Sequence, residues 1–296
     1  MFKYLIVCLL GVSMAVGLGA QTSEDTLLFA QKTHPNRLRT VAIAGGAAYT
    51  LGMAGLYAVW YRQNEAVPFQ FFDDWPQWQQ MDKFGHWYSS FQLSRANVEL
   101  LRWAGMDSKR ARWWGVGAAM LFMTSIEVFD GFSPDYGASW TDAAANFVGA
   151  ATFVAQDYYW GEVKLYPKFS FRPTPYAAQR PQTLGRNWSE QWLKDYNGQT
   201  YWLTLRGDVL GLPPWLGVSA GYGAEGMLFG RLDENRVVGL DPYRRLFLSL
   251  DIVWEHIPTR RPWLKTLFYV LNTIKIPAPA LEWRQRRGFV GHGLYY

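Results

Sequence analysis

Apolar positions along this chain follow one period in the first half and another in the second. From residue 40 to 160 they recur at helical spacing; beyond residue 199 they alternate with polar ones. The stretch Thr40 to Tyr61, TVAIAGGAAYTLGMAGLYAVWY, carries no charge. About twenty such residues suffice to cross a bilayer core, and Arg37, Arg39 and Arg62 make plausible ends. We read it as a membrane-contacting segment whose small residues admit a close neighbour; the alternative is a buried central helix of a bundle. Asp82 then caps a helix from Lys83 to Trp103 that Gly105 ends. Asp107 and Ser108 restart a helix that runs to Phe129, and Ser139, at capping-box spacing from Asp142, opens another through Tyr159.

Residues 165–198 are rich in Pro, Arg, Gln and Trp without period and read as an irregular crossing segment. From residue 199 to 296 the runs alternate: in RRLFLSLDIVW, Leu246, Leu248, Leu250, Ile252 and Trp254 share one face, as in a strand. PWLKTLFYVLNTIKIP interrupts them as a short helix ended by Pro277. The pattern therefore predicts an α+β protein. An N-terminal bundle of about four apolar helices spans 40–164, and a small antiparallel β region spans 199–296. Leu294, Tyr295 and Tyr296 close the chain on an aromatic, as exported β-barrels commonly do, but five or six strands are too few to close a spanning barrel.

Composition adds a location. Residues 1–20 combine Lys3, an apolar run and small residues ending at Ala20, which reads as a secretory signal, with 21–39 as a polar arm behind it. The single cysteine, Cys8, lies in that run, so the mature chain is expected to lack disulfides and thiolate ligands. Cys8 follows Ile6 and Val7 rather than small residues and does not read as a lipidation site. Aromatic residues make up 17% of the chain, a share familiar at lipid interfaces, yet the mean hydropathy of -0.14 limits how much of it a bilayer could hold. The formal charge is +5, and the residues after Trp254 hold all of it, with Arg260, Arg261, Lys265, Lys275, Arg284, Arg286 and Arg287 against Glu255 and Glu282. Such a tail on an exported protein fits anionic lipid or glycolipid, or an ordinary solvated surface, and not nucleic acid.

Three polar pairs interrupt the apolar helices at spacings that put both members on one face: Asp82 with His86, Glu127 with Asp130, Asp142 with Asn146. Helices that turned these faces inward would make a polar pocket, and buried carboxylates require compensation, for which Lys83 and Arg95 are near in sequence. Each residue also has a structural reading: Asp82 as a cap, Asp142 as part of a capping box, His86 as a core histidine. Glu127 and Asp130 stand at the wrong end of a helix dipole and demand a partner. Asn146 has no cap to serve.

The ordered set DKFGHWYSS and IEVFDGFSPDYGASWTDAAANFVGA resembles the YfiM-like family of predicted periplasmic lipoproteins and, more distantly, the VanZ-like membrane proteins. The shared pattern falls on Asp82, Lys83, His86, Glu127, Asp130, Asp142, Asn146 and Gly149, within residues 40 to 160. The resemblance implies an envelope location and a helical bundle, and brings no reaction with it.

Other motifs fail. GYGAEG at 221–226 has dinucleotide-fingerprint letters without a βαβ setting, and no nucleophile elbow, Walker loop or H-E-x-x-H is present. With His34, His86, His256 and His292 alone, no metal or cofactor is expected, although a carboxylate-dominated site with one histidine is conceivable. Two functions are consistent with these residues. One is a non-enzymatic membrane-associated envelope protein that binds lipid or a partner and holds a buried polar cluster. The other is a hydrolase or transferase acting on a phospholipid, lipid-linked sugar or glycopeptide, with Glu127 or Asp142 as base, His86 as acid or ligand, and Lys83 or Arg95 steadying phosphate.

Overall fold

The computed structural model describes residues 34–62, 65–134 and 137–295. The expected leader and most of the polar arm lie outside the described residues. The chain is α+β and divides into two compact units that interleave along the sequence. The first takes the described residues up to Asp73, Ser89–Tyr159 and Thr259–Val270; the second takes Asp74–Tyr88, Trp160–Pro258 and Leu271 onward.

The first unit contains α1 (Pro35–Leu56), most of α2 (Met81–Trp103), α3 (Ser108–Gly131), α4 (Trp140–Tyr159) and α5 (Pro262–Leu271). Pro35 starts α1, where its missing N–H costs nothing. Arg37 and Arg39, expected to precede this helix, therefore lie inside it, and Arg37 sits over the Trp103 ring at 5.1 Å. The helix ends at Leu56 in a π turn, Tyr57–Tyr61. Among the described residues no helix is long and apolar enough to cross a membrane; the Gly and Ala residues of 40–61 are uncharged without being strongly apolar.

The caps of α3 and α4 follow the sequence. The Asp107 side chain accepts from the Arg110 amide at 3.0 Å, and Ser139 Oγ accepts from the Asp142 amide at 3.2 Å. α3 turns Ala111, Gly115, Ala119 and Met123 inward. Gly115 is needed there: a Cβ would stand 2.6 Å from Val98 Cγ2 and 2.7 Å from the Val98 amide nitrogen of α2. Gly115→Ala is expected to cost about 1–3 kcal/mol by overpacking. Gly117→Ala, with open space around it, should be neutral or slightly stabilising; the two thermal midpoints check this.

The outward surface of these helices is unusual. From Thr40 on in α1, from Trp113 on in α3 and throughout α4, no exposed residue is charged. The acids of α3 and α4 point inward, with Glu127, Asp142 and Asp157 buried and Asp130 half-buried, while Trp113, Trp114, Leu121, Phe147 and Tyr158 are exposed.

The second unit is a six-stranded antiparallel meander in the order β1 to β6. The strands are β1 (Leu165–Phe171), β2 (Gln199–Arg206), β3 (Leu216–Glu225), β4 (Tyr243–Ile252), β5 (Ala278–Arg284) and β6 (Gly288–Tyr295). β1 lies in the stretch expected to be irregular. Pro167 and Lys168 break its alternation, and Pro is tolerated because β1 is an edge strand. The rest of 165–198 folds as short helices, Pro175–Gln179, Pro181–Leu184 and Trp188–Lys194.

The two faces of the sheet reverse the usual arrangement. In β4, Tyr243, Arg245, Phe247, Ser249 and Asp251 are buried, whereas Leu246, Leu248 and Leu250 are exposed. The register carries that inner face across the sheet: Gly221 lies opposite Phe247 and Trp202 opposite Gly221. A Cβ on Gly221 would stand 2.6 Å from the Trp202 ring. Trp202, Phe247, Ala280 and Tyr295 form the core of that side. The Thr200 and Tyr295 hydroxyls meet at 3.1 Å, so β2 and β6 face each other across a curled sheet. On the opposite side, aromatic rings of α2's first turns cover part of the sheet, with Phe84 stacked on Tyr222 at 4.4 Å between centroids.

Candidate functional site

The sequence-predicted residues are shared between the two units, with Glu127, Asp130, Asp142 and Asn146 in the first. Asp82, Lys83 and His86 belong to the second. Just before them the backbone passes through a left-handed turn, with φ of 49° at Trp78, 51° at Gln79 and 62° at Gln80. Such non-glycine conformations persist only where the surroundings hold them. Here the Trp78 amide donates to Gly230 O at 2.7 Å, and the Tyr222 hydroxyl donates to Gln79 O. The turn delivers the chain into α2 at Met81, so Asp82 lies within the first helical turn and is not the N-cap expected.

Its carboxylate is instead held by side chains. Tyr196 Oη donates to Asp82 Oδ1 at 2.7 Å, His86 Nε2 lies 3.8 Å from the same oxygen, and Lys83 Nζ is 3.3 Å from Oδ2. Lys83 also pairs with Asp74 at 2.6 Å. Burial alone would raise the Asp82 pKa; the His86 ring, the Lys83 ammonium and the Tyr196 hydroxyl outweigh it, and the group is held below its ordinary value.

In the first unit the carboxylates are tied to the backbone and to a phenol. The Ser139 amide donates to Glu127 Oε2 at 3.1 Å, so Glu127 fills the reciprocal half of the capping box that spacing assigned to Asp142. The Tyr61 hydroxyl donates to Asp130. Ser90 Oγ donates to the Asn146 carbonyl at 2.6 Å, with both residues buried. Arg95 is buried, its guanidinium 4.6 Å from the centre of the Tyr269 ring. The wrong-end argument for Glu127 and Asp130 is thus met by an amide and a phenol.

Sequence reasoning missed three further networks. Asp157 is bracketed by Arg102, at 2.7 Å, and Arg112, at 2.5 Å; an acid in the last turn of α4 carried the same signal as Glu127. Inside the sheet, Lys168 Nζ lies 2.9 Å from Asp251 Oδ2 with both side chains fully buried, and Lys275 is 3.9 Å from Oδ1. Thr204 donates to Asp251 Oδ2 at 2.7 Å. Burial pushes the Lys275 ammonium down to about 8, against the pull of Asp251. Glu282 is enclosed by Arg245, by Arg284 Nε at 3.0 Å and by His292 Nε2 at 2.6 Å. No local pattern marks Asp251, whose lysines come from β1 and from the segment before β5, and of the partners of Glu282 only Arg284 lies on the same strand.

No curated protein and no solved structure matches the chain. Family-level similarity is confined to the region around the polar pairs, and it supports an exported, periplasm-facing location in the cell envelope. Residues 70–156, which carry Asp82, Lys83, His86, Glu127, Asp130, Asp142 and Asn146, match the family model described as Predicted periplasmic lipoprotein (DUF2279).

Proposed function

We propose that this chain is a non-enzymatic envelope protein that rests against membrane lipid and uses its buried polar side chains to hold the fold. The observation that carries this reading is the uncharged outward surface of α1 from Thr40 on, of α3 from Trp113 on and of α4, with the acids of α3 and α4 turned inward. A water-facing surface ordinarily carries about 25–35% charged residues, and a contiguous apolar surface marks a partner or a membrane. A structural role for the polar residues is supported by their bonding. Asp82 is engaged by Tyr196 and Lys83, Glu127 by a backbone amide and Asp130 by Tyr61. Carboxylates held in this way by their own fold act as struts, not as bases. α1, α3 and α4 seat the unit at the lipid interface without the chain having to span it.

Membrane fractionation tests the proposal. The wild-type chain should sediment with membranes and resist a high-salt wash. Leu121→Glu with Phe147→Glu, both at outward positions, should move most of it to the soluble fraction while leaving the thermal midpoint within a few degrees. Wild-type protein found wholly in the soluble fraction would end the reading. A stoichiometric divalent metal in elemental analysis of the extracted protein would favour the hydrolase or transferase instead.

A further inference from the structure

The second unit has an apolar surface of its own. On β4 the exposed side chains are Leu246, Leu248 and Leu250; on β5 Leu281 is exposed and Trp283 partly so, and on β6 Phe289 is 70% exposed. The pairings Leu246 with Trp283, Leu248 with Leu281 and Trp283 with Phe289 make this one continuous face, with a shallow groove between Leu248, Leu250, Pro279 and Leu281. The charged side chains that alternate with these leucines, Arg245, Asp251 and Glu282, lie on the inner face in ion pairs.

We infer that this outer face, β4 to β6 with the Val218 and Ala220 end of β3 beside them, docks on a leaflet of anionic phospholipid. The order of residues along the strands points to that partner. Leu250 and Leu248 come first, then the row of Leu246, Trp283 and Phe289, then Arg244 and the exposed Arg286 of the β5–β6 turn; Arg287 beside it lies over the Tyr243 ring. Aliphatic, aromatic and cationic residues follow in the order in which a leaflet presents acyl chain, interface and phosphate. A second copy of the chain fits less well. The outward positions of these strands, from Leu216 to Ala224, Arg244 to Ile252 and Pro279 to Trp283, include no acid, so a second copy would bring no carboxylate to these arginines.

The inference rests on the membrane reading above, and its test separates the two. In the full chain with Cys8→Ser, single cysteines introduced as Leu248→Cys, Leu281→Cys or Asp233→Cys are labelled with an environment-sensitive fluorophore. The labelled chains are mixed with phosphatidylglycerol–phosphatidylcholine vesicles containing brominated acyl chains. The labels at 248 and 281 should shift to the blue and be quenched, while the label at 233, on the exposed helix Leu232–Val237, should not. Arg286→Gln with Arg287→Gln should weaken partition into the anionic vesicles on the order of tenfold at low salt, with little change for pure phosphatidylcholine. Labels at 248 and 281 that stay in water while the chain floats with vesicles would overturn the inference and leave the membrane reading standing. Concentration-dependent self-quenching without lipid would overturn it in favour of a second copy. A chain that does not float at all would sink both.

Discussion

Asp251→Asn should be the most damaging single substitution in the sheet, at about 3–5 kcal/mol, because it removes a buried negative charge that faces two buried cations. Lys168 and Lys275 both approach Asp251, and all three side chains are fully buried. Beside these pairs, Lys168 Nζ donates to Ile252 O at 2.7 Å, and Lys275 Nζ donates to Leu250 O at 2.7 Å. Asparagine keeps an acceptor for Thr204 and Ser219, which both donate to Asp251 Oδ2, so the loss isolates charge from shape. Adding Lys168→Met removes one stranded cation and should recover a substantial part of the stability, since replacing a buried pair by apolar groups is often nearly neutral. Urea midpoints of the single and double variants decide the matter. A single variant within about 1 kcal/mol of wild type would mean that the charge is solvated, as exposed pairs are.

Glu282→Gln is expected to produce a second large effect, of similar size, with a pH signature. Burial alone would raise the Glu282 pKa, but the guanidinium groups of Arg245 and Arg284 and the His292 ring bring it down to about 2 from an ordinary 4.5. A carboxylate with a depressed folded pKa contributes stability that is fully present above the unfolded value and is lost as pH falls through the folded one. Wild-type stability should therefore fall between about pH 4.5 and pH 2, on top of any loss from other acids. The Glu282→Gln variant, already weaker at neutral pH, should lose less over that interval. The difference between the two stability profiles isolates this site. Parallel profiles would show that Glu282 titrates no differently in the folded and unfolded chains.

These two effects fall on residues that the sequence does not bring forward. Asp82, Lys83 and His86, with Glu127, Asp130, Asp142 and Asn146, were legible because helical spacing is local and because acids in apolar helices stand out against their neighbours. Legibility ended at their partners. Tyr196 reaches Asp82 from the segment before β2, and the amide bonded to Glu127 belongs to the next helix's cap. Neither is implied by any nearby pattern. Lys168, Asp251 and Glu282 were invisible for a related reason: in an alternating strand a charged residue reads as the outward one.

The sequence by itself determined the classes of element and most of their limits: helices before residue 160, strands after 199, a break at Gly105 and a start at Asp107. Periodicity and caps are properties of a few neighbouring residues, so they survive without tertiary information. Only the tertiary structure decided which side of each element faces in. A period of two places Leu246, Leu248 and Leu250 on a common face but says nothing of its sign, because the cost of burying Arg245, Asp251 and Glu282 depends on whether partners from other strands meet them. Where those partners are supplied, charge can go inside and leucine is left for the surroundings.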